Sequence, residues 1–513
     1  MVNLFCASRS SASFSRARLL AGASAVTCAI VWSQAALAAA QGCVPQSPGS
    51  TTYVCISPVG TVTTTQSINA GGSSPPLVIT TDPGFSLKTA SGDAIDINAT
   101  GSFTDDPTSS IIGAASGVRF GGTAGTGAIS LAASGTVTGQ NGYGIYMTGS
   151  SSPITQTLTI NAGAKVSGNQ GAVYVLSQSA GDINVVANGT LTNGLPDTGI
   201  QGTVLAVSQQ SSAANAGNVN VTVGGTVTDT TSTLQGSQYW GIVAGNNSQN
   251  ISINVTSTGV VTAHQGIMAG ATGDIAVTID GTVNADRGRQ ALNLTTDNGI
   301  SVNVGTSGTI NGDVDATFGS TPAARGAGVT FTNAGTIKGG VSISNSNVAF
   351  TNTGTINGAA TGANYAIFIA QGGTTLLQDG AITGNAQIGG SNVLTWSGGT
   401  LAGGIQVLSG PSSPGPSTVN IVGISAANLA SATHVFGSQS DTLNLNGVTY
   451  HGGVLGNDDV SRGLNIKDFH ALNFINHTDW TLVGTFDRFD AVTIDATSTL
   501  HVGNNVNPTI GYA

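Results

Sequence analysis

A right-handed parallel β-helix, an all-β solenoid with three short strands per coil, is the fold class predicted by this sequence. Three observations predict it. A short glycine-centred phrase recurs along most of the chain. Each copy follows a run of alternating apolar and polar residues. Outside the N-terminal segment no long apolar pattern has the helical period. Phe331 to Ala360, FTNAGTIKGGVSISNSNVAFTNTGTINGAA, shows the repeat plainly: FTNAGTIKG returns as FTNTGTING nineteen residues later.

The phrase begins at Gly135, Gly163, Gly189, Gly225, Gly259, Gly281, Gly308, Gly335, Gly354, Gly380 and Gly399, at intervals of 19 to 36 residues with a mean near 26. A fixed core with elastic spacing is the pattern of a solenoid with loop insertions. Each unit has three parts. The first is an alternating run such as INVVANG, IAVTIDG or ISVNVGTSG, the signature of a strand. The glycine then turns the chain, where φ > 0 carries no Cβ penalty, and Thr-Val or Thr-Ile follows with the threonine outward. A third run, GIYM, AVYV, GIVA, GIMA, ALNL or AIFI, completes the coil.

One such coil cannot bury its inward residues alone, so coils must stack at strand spacing. Val137, Leu191, Val227, Val283, Ile310, Ile337, Ile356 and Ile382 are then expected to form one aliphatic ladder, and turn asparagines to stack their amides. In GAKVSG the register puts Ala164 in the glycine place and Lys165 outward; the opposite register would bury an unpaired ammonium. Sixteen or seventeen coils are expected between Gly60 and Leu500, a rod of about 80 Å.

Composition bounds the function classes. Charged residues make up 7% of the chain, hydrophobic residues 39%, with 75 Gly but only 14 Pro. This is neither a disordered linker nor a collagen. The net charge of −10 argues against nucleic acid or anionic membrane as a partner.

Residues 1–40 read as an export signal. Arg9, Arg16 and Arg18 are its basic region, Leu19 to Trp32 an apolar run too short to span, and Ala36-Leu37-Ala38 a cleavage site. Cys6 and Cys28 leave with it. Cys43 and Cys55, in QGCVPQSPGSTTYVC, are expected to pair in an oxidising compartment and close an N-terminal cap over 41–60; the alternative is two free thiols. The repeats then occupy 61–410 and a related C-terminal region 411–513.

Candidate chemistry is sparse. The six histidines lack metal-site spacing, and the P-loop, GxSxG, HExxH and GGxGxD motifs are absent, so no metal and no cofactor is expected. Asp105-Asp106, Asp458-Asp459, the Asp286/Arg287/Arg289 turn and Asp313/Asp315 read as solvated turns. The densest charge, Arg462, Lys467, Asp468, His470, His477, Asp479, Arg488 and Asp490, reads as structural. The unexpected feature is apolar. With Ile145 and Met147 inward, alternation puts Tyr146 outward, and the corresponding positions are Tyr174, Leu205, Val243, Met268, Asn293 and Phe368. This row is a candidate binding strip. The alternatives are cover by the insertions at 195–200 and 229–238, or reversed faces.

The hydroxyl- and amide-rich GT[VI]xG repeats, the leader and the scarcity of cysteine resemble the passenger region of a Gram-negative autotransporter. WTLVG and AVTIDATSTLHVG add to the resemblance through Trp480, Thr481, Leu482, Gly484, Val492, Ile494, Leu500, Val502 and Gly503. The resemblance implies export to the cell surface, outer membrane or medium. It also implies an outer-membrane β-barrel translocator as partner; the chain stops at NPTIGYA in passenger-like sequence, so either a fragment of a longer protein that carries the barrel or a truncated reading frame is expected. The N-terminal Asn-Pro-Asn-Gly phrase of two-partner exoproteins is missing. The function expected is a non-enzymatic, displayed or shed structural passenger serving adhesion, with host or neighbouring-cell glycans or proteins as partners. A polysaccharide lyase or hydrolase on the same scaffold, or a fragment without function of its own, is the alternative.

Overall fold

A computed structural model describes residues 42–502 apart from segments at 58–59, 70–74, 122–127, 150–152, 179, 195–200, 209–216, 231–238, 319–327, 345–346, 371, 378, 409–414, 456–463 and 483–488. Residues 1–40, expected as an export signal, and Asp458, Asp459, Arg462 and Arg488 lie outside the described residues.

The chain is nearly all β, 59% strand and 2% helix, wound as a β-solenoid of about 14 turns. Strands of successive coils pair in parallel on three faces. The alternating runs form the first face, from Thr52–Ile56 to Ala491–Ile494; the Thr-Val or Thr-Ile segments form the second, from Ser86–Lys88 to Thr400–Ala402; the third runs form the third, from Gln66–Asn69 to Thr499–Val502.

The repeat at Phe331 is two adjacent coils seen in sequence. Phe331 pairs with Phe350, Asn333 with Asn352 and Ile337 with Ile356. The two phenyl rings stack inside the rod at 5.1 Å, and Asn333 Nδ2 donates to Asn352 Oδ1 at 2.7 Å. Identical residues one coil apart thus satisfy one another: the rings fill the interior, and each amide gives its neighbour the partner a buried amide requires. Asn220–Asn184, Asn444–Asn420 and Asn473–Asn444 repeat the device on the first face.

The second face carries the expected ladder. Val137, Val166, Leu191, Val227, Val261, Val283, Ile310, Ile337, Ile356, Ile382 and Leu401 follow in register, and all are buried. Lys165 is exposed and pairs with Thr136 and Thr190, so the register that keeps the ammonium outside is the one adopted.

At most of the repeat turns the glycine serves a different purpose from the one expected. Of the repeat glycines only Gly163, Gly380 and Gly399 have positive φ. At the others the constraint is closeness: a Cβ on Gly225 would lie 2.1 Å from the Gly189 carbonyl oxygen, on Gly335 2.3 Å from that of Gly308, and on Gly354 2.2 Å from that of Gly335. The turns of adjacent coils stack backbone on backbone, and a side chain would separate them. Ala164 in the GAKVSG coil shows that the approach is not equally tight everywhere.

The second face has 13 rungs, fewer than the sixteen or seventeen coils expected, because the coil changes after Ala402. Among the described residues no later strand joins the second face, and the short helix Ala426–Leu429 lies between the first-face strand Thr418–Val422 and the third-face strand His434–Phe436. The apolar residues of the last described coil, Val492 (39% exposed) and Ile494 (45%), continue the inward rows of Leu472 and Phe474 but have no strand beyond them among the described residues.

At the other end, Gly42–Pro45 pairs antiparallel with Thr52–Ile56, and Cys43 and Cys55 face each other in that register with their sulfurs bonded. The reversed strand covers an edge that would otherwise offer a row of unpaired backbone groups. Gln66 Oε1 accepts from the Cys43 amide at 2.8 Å and ties the hairpin to the third face. For the chain isolated without reductant, the expected result is that neither cysteine alkylates; mass spectrometry showing two modified thiols would contradict the cap.

One buried acid helps close the early coils. Asp105 accepts from the Ser109 and Thr81 hydroxyls and, at 2.9 Å, from the Gly135 amide. Burial pushes its pKa above the ordinary carboxyl value, against the lowering effect of those hydrogen bonds. A raised folded-state pKa means that the folded form binds the proton more tightly. The stabilisation is therefore full below the unfolded carboxyl pKa and is lost as pH rises through the folded value. Exchange protection of the Gly135 amide is expected to fall over that window in the natural chain and to stay flat in Asp105→Asn; identical profiles would refute the assignment.

Candidate functional site

Among the described residues the outward row of the third face holds the longest run of aromatic and large apolar side chains, where the other outward rows carry them singly (Val78, Val186, Val260, Val393), and the backbone register aligns it. Arg119, Tyr146, Tyr174, Leu205, Val243, Met268, Asn293, Asp315, Ser342 and Phe368 occupy successive rungs. The faces are not reversed, since Ile145 and Met147 are fully buried inside. Tyr146, Tyr174, Met268 and Phe368 are half-buried, while Val243 is 8% exposed and yet stands apart from the interior cluster. It is a covered outer position rather than a core one. Of the two insertions, 195–200 and all but the first two residues of 229–238 lie outside the described residues.

The tyrosines do not offer their faces to solvent. Tyr146 and Tyr174 stack at 5.1 Å with planes 5° apart, and Tyr143 packs on both at 5.8 and 5.0 Å. The Arg119 guanidinium carbon lies 6.0 Å from the Tyr146 ring centroid. Stacked this way, the column shows ring edges and hydroxyls. Burial, with Tyr146 beside it, raises the Tyr174 pKa, so the phenol keeps its proton as a donor.

Tyr143 reveals a second outward column that alternation conceals. It stands two residues before the inward Ile145, and by parity belongs inside. The chain bends at Gly144, and the ring turns out onto Tyr146. The same place is held by Trp240, which pairs with Gln265, and by Gln290, which pairs with Asp313. Gln290 Nε2 donates to the outward Asp315 carboxylate, and Asn293 Nδ2 donates to Gln290 Oε1 at 3.0 Å. The readable signal is the large residue placed before Gly or Ala in YGIY, WGIV, QGIM and QALN.

Toward Phe368 the two columns become polar. Asp313 Oδ1 accepts from the Gly340 amide and the Thr361 hydroxyl, each at 2.8 Å. Burial raises the Asp315 pKa, the Gln290 hydrogen bond opposes the rise, and the Asp313 charge adds to it. Tyr365 packs on Phe368 at 5.4 Å, and its pKa too is raised by burial. At the corner leading into this face, His264 Nδ1 meets Asp286 Oδ2 at 2.5 Å, so Asp286 belongs to an imidazole rather than to an isolated ion-pair turn.

The C-terminal charges join coil to coil. His470 contacts Asp490 at 2.8 Å, His501 contacts Asp479 at 3.0 Å, and Lys467 lies 4.5 Å from the Phe436 ring centroid. Trp480 of the passenger-like phrase is fully buried against Tyr450. Among the described residues no group of three or more His, Cys, Asp or Glu is placed to hold a metal, and no helix is long and apolar enough to cross a membrane.

Compared with protein-family models, with curated proteins and with solved structures, the chain matches none.

Proposed function

We propose that this chain is an exported, non-enzymatic passenger, displayed on or shed from a Gram-negative cell, that mediates adhesion through the outer surface of its third face. The observation that carries the reading is the contiguous Tyr146–Tyr174–Met268 row on a rod whose other outward rows are mainly threonine, serine and asparagine, interrupted by single apolar residues such as Val78, Val260 and Val393. A charge-poor, hydroxyl-covered solenoid serves as a stiff spacer, and a local apolar and aromatic row on it is the place where a partner gains from desolvation. The leader-like residues 1–40 and the resemblance to autotransporter passengers supply the export part, with an outer-membrane barrel as translocator.

The test displays the full chain on a Gram-negative host and measures adherence to neighbouring cells and epithelial cells. The natural chain is expected at the surface and to promote adherence. Tyr146→Ser with Tyr174→Ser is expected to reduce adherence several-fold at unchanged surface level. Retention of the chain inside the cell would defeat the export part, and full adherence by the double variant would defeat the assignment to this face.

A further inference from the structure

We infer that the corner of the third face at Trp240 and Gln265 receives a hydroxyl group of a neutral glycan lying along the strip, an inference that rests on the adhesive reading above. Trp240 and Gln265 are neighbours on adjacent coils, 3% and 9% exposed. Both belong to the outward column whose direction is set by Tyr143 on Tyr146 and by Gln290 on Asp315. Trp240 is accordingly absent from the interior hydrophobic cluster despite its burial.

Their polar atoms are unused. Trp240 Nε1 and Gln265 Oε1 are buried and have no hydrogen-bond partner, and the same holds for Nε2 of the adjoining His264. Buried polar atoms are paired in the great majority of cases, and each orphan is costly, so several at one corner call for an occupant. The donor set selects its chemistry. An indole N–H only donates, and a glutamine carbonyl only accepts. A hydroxyl does both: its oxygen accepts from the indole and its hydrogen goes to Gln265 Oε1. A cation would be opposed by the N–H, and an anion by the amide oxygen.

The burial sets how much of a ligand enters. The two atoms are almost wholly covered, so we place only one hydroxyl or hydroxymethyl group between them, with the body of the ligand over the half-buried Met268 and Asn293 on the following rungs. Those rungs supply an apolar contact and an amide, the pairing a sugar ring uses.

The test immobilises the full exported chain and measures binding of chitotetraose, cellotetraose and mannotetraose. At least one is expected to bind, with a loss of tenfold or more in Trp240→Phe, which keeps the ring and removes the N–H, and in Gln265→Leu. Thermal midpoints of both variants are expected to match the natural chain or exceed it, which separates lost binding from lost folding. Binding of none of the three, equal binding by the variants, or a crystal structure with only ordered water bridging the two atoms and no binding would overturn the inference. Adherence measured in parallel distinguishes the two claims. Adherence that Tyr146→Ser with Tyr174→Ser removes and Trp240→Phe leaves intact overturns the glycan site alone. A natural chain that binds a tetraose but promotes no adherence overturns the adhesive reading alone.

Discussion

Ile310→Asp and Ile337→Asp are expected to destabilise the rod by several kcal/mol, whereas Thr309→Asp and Thr336→Asp, one residue away, change stability by about half a kcal/mol or less. Ile310 and Ile337 are fully buried and pair with each other across adjacent coils. Their neighbours in the row are Val283 and Ile356, so a carboxylate there finds no donor and no counter-charge. Unpaired burial of a charge is among the few mechanisms that reach such a size. The threonines point outward into a partly exposed hydroxyl row. Because each coil touches chiefly its neighbours, the damage opens the solenoid locally before it unfolds globally. Limited proteolysis with mapped cut sites reads this directly: new cuts cluster around residues 310–340 in the isoleucine variants. Equal sensitivity of the two pairs would mean that inside and outside have been exchanged.

Gly335→Ala and Gly354→Ala are expected to cost about 1–3 kcal/mol each, a large effect for one methyl group at a turn. The reason is that the added carbon meets backbone of the coil below, which cannot move aside as a side-chain tip could. Gly270→Ala is the control. It has ordinary φ and nothing within 4 Å of its Cβ position, so it is expected to change stability by about half a kcal/mol or less. Denaturation midpoints of the three variants decide the matter; a uniform response would mean that the repeat glycines serve turn conformation rather than close stacking.

The solenoid was legible because its physics is repetitive. Alternation with period two marks the strands, the spacing of the phrase marks the coils, and Lys165 fixes which side is out. The same repetition hid two things. A glycine kept at a turn for φ > 0 and one kept for close approach look alike in sequence, and only the stacking of Gly335 on Gly308 separates them. Alternation also assumes an unbent strand. At Gly144, Gly241 and Gly266 alternation breaks, with two successive buried positions, and Tyr143, Trp240 and Gln265, which parity sends inward, join the outer side beside the strip that parity had found, Trp240 and Gln265 as covered positions. The shortfall of the second face has a related cause: a mean period carried past Ala402 could not register its loss. The His264–Asp286 pair spans 22 residues and two coils, with no spacing rule to announce it.

Distances along the second face test the central claim most directly. Thr136, Thr226, Thr309 and Thr400 lie in one outward row, with Thr309 three rungs from Thr226 and six from Thr136, and Thr400 ten rungs from Thr136. Spin labels on cysteines placed pairwise at these threonines, read by pulsed dipolar spectroscopy, are expected to give backbone separations of about 14, 29 and 48 Å, rising linearly with rung number at strand spacing. Separations that do not rise with rung number, or a Thr136–Thr400 distance no longer than the Thr136–Thr309 distance, would contradict a stacked-coil rod.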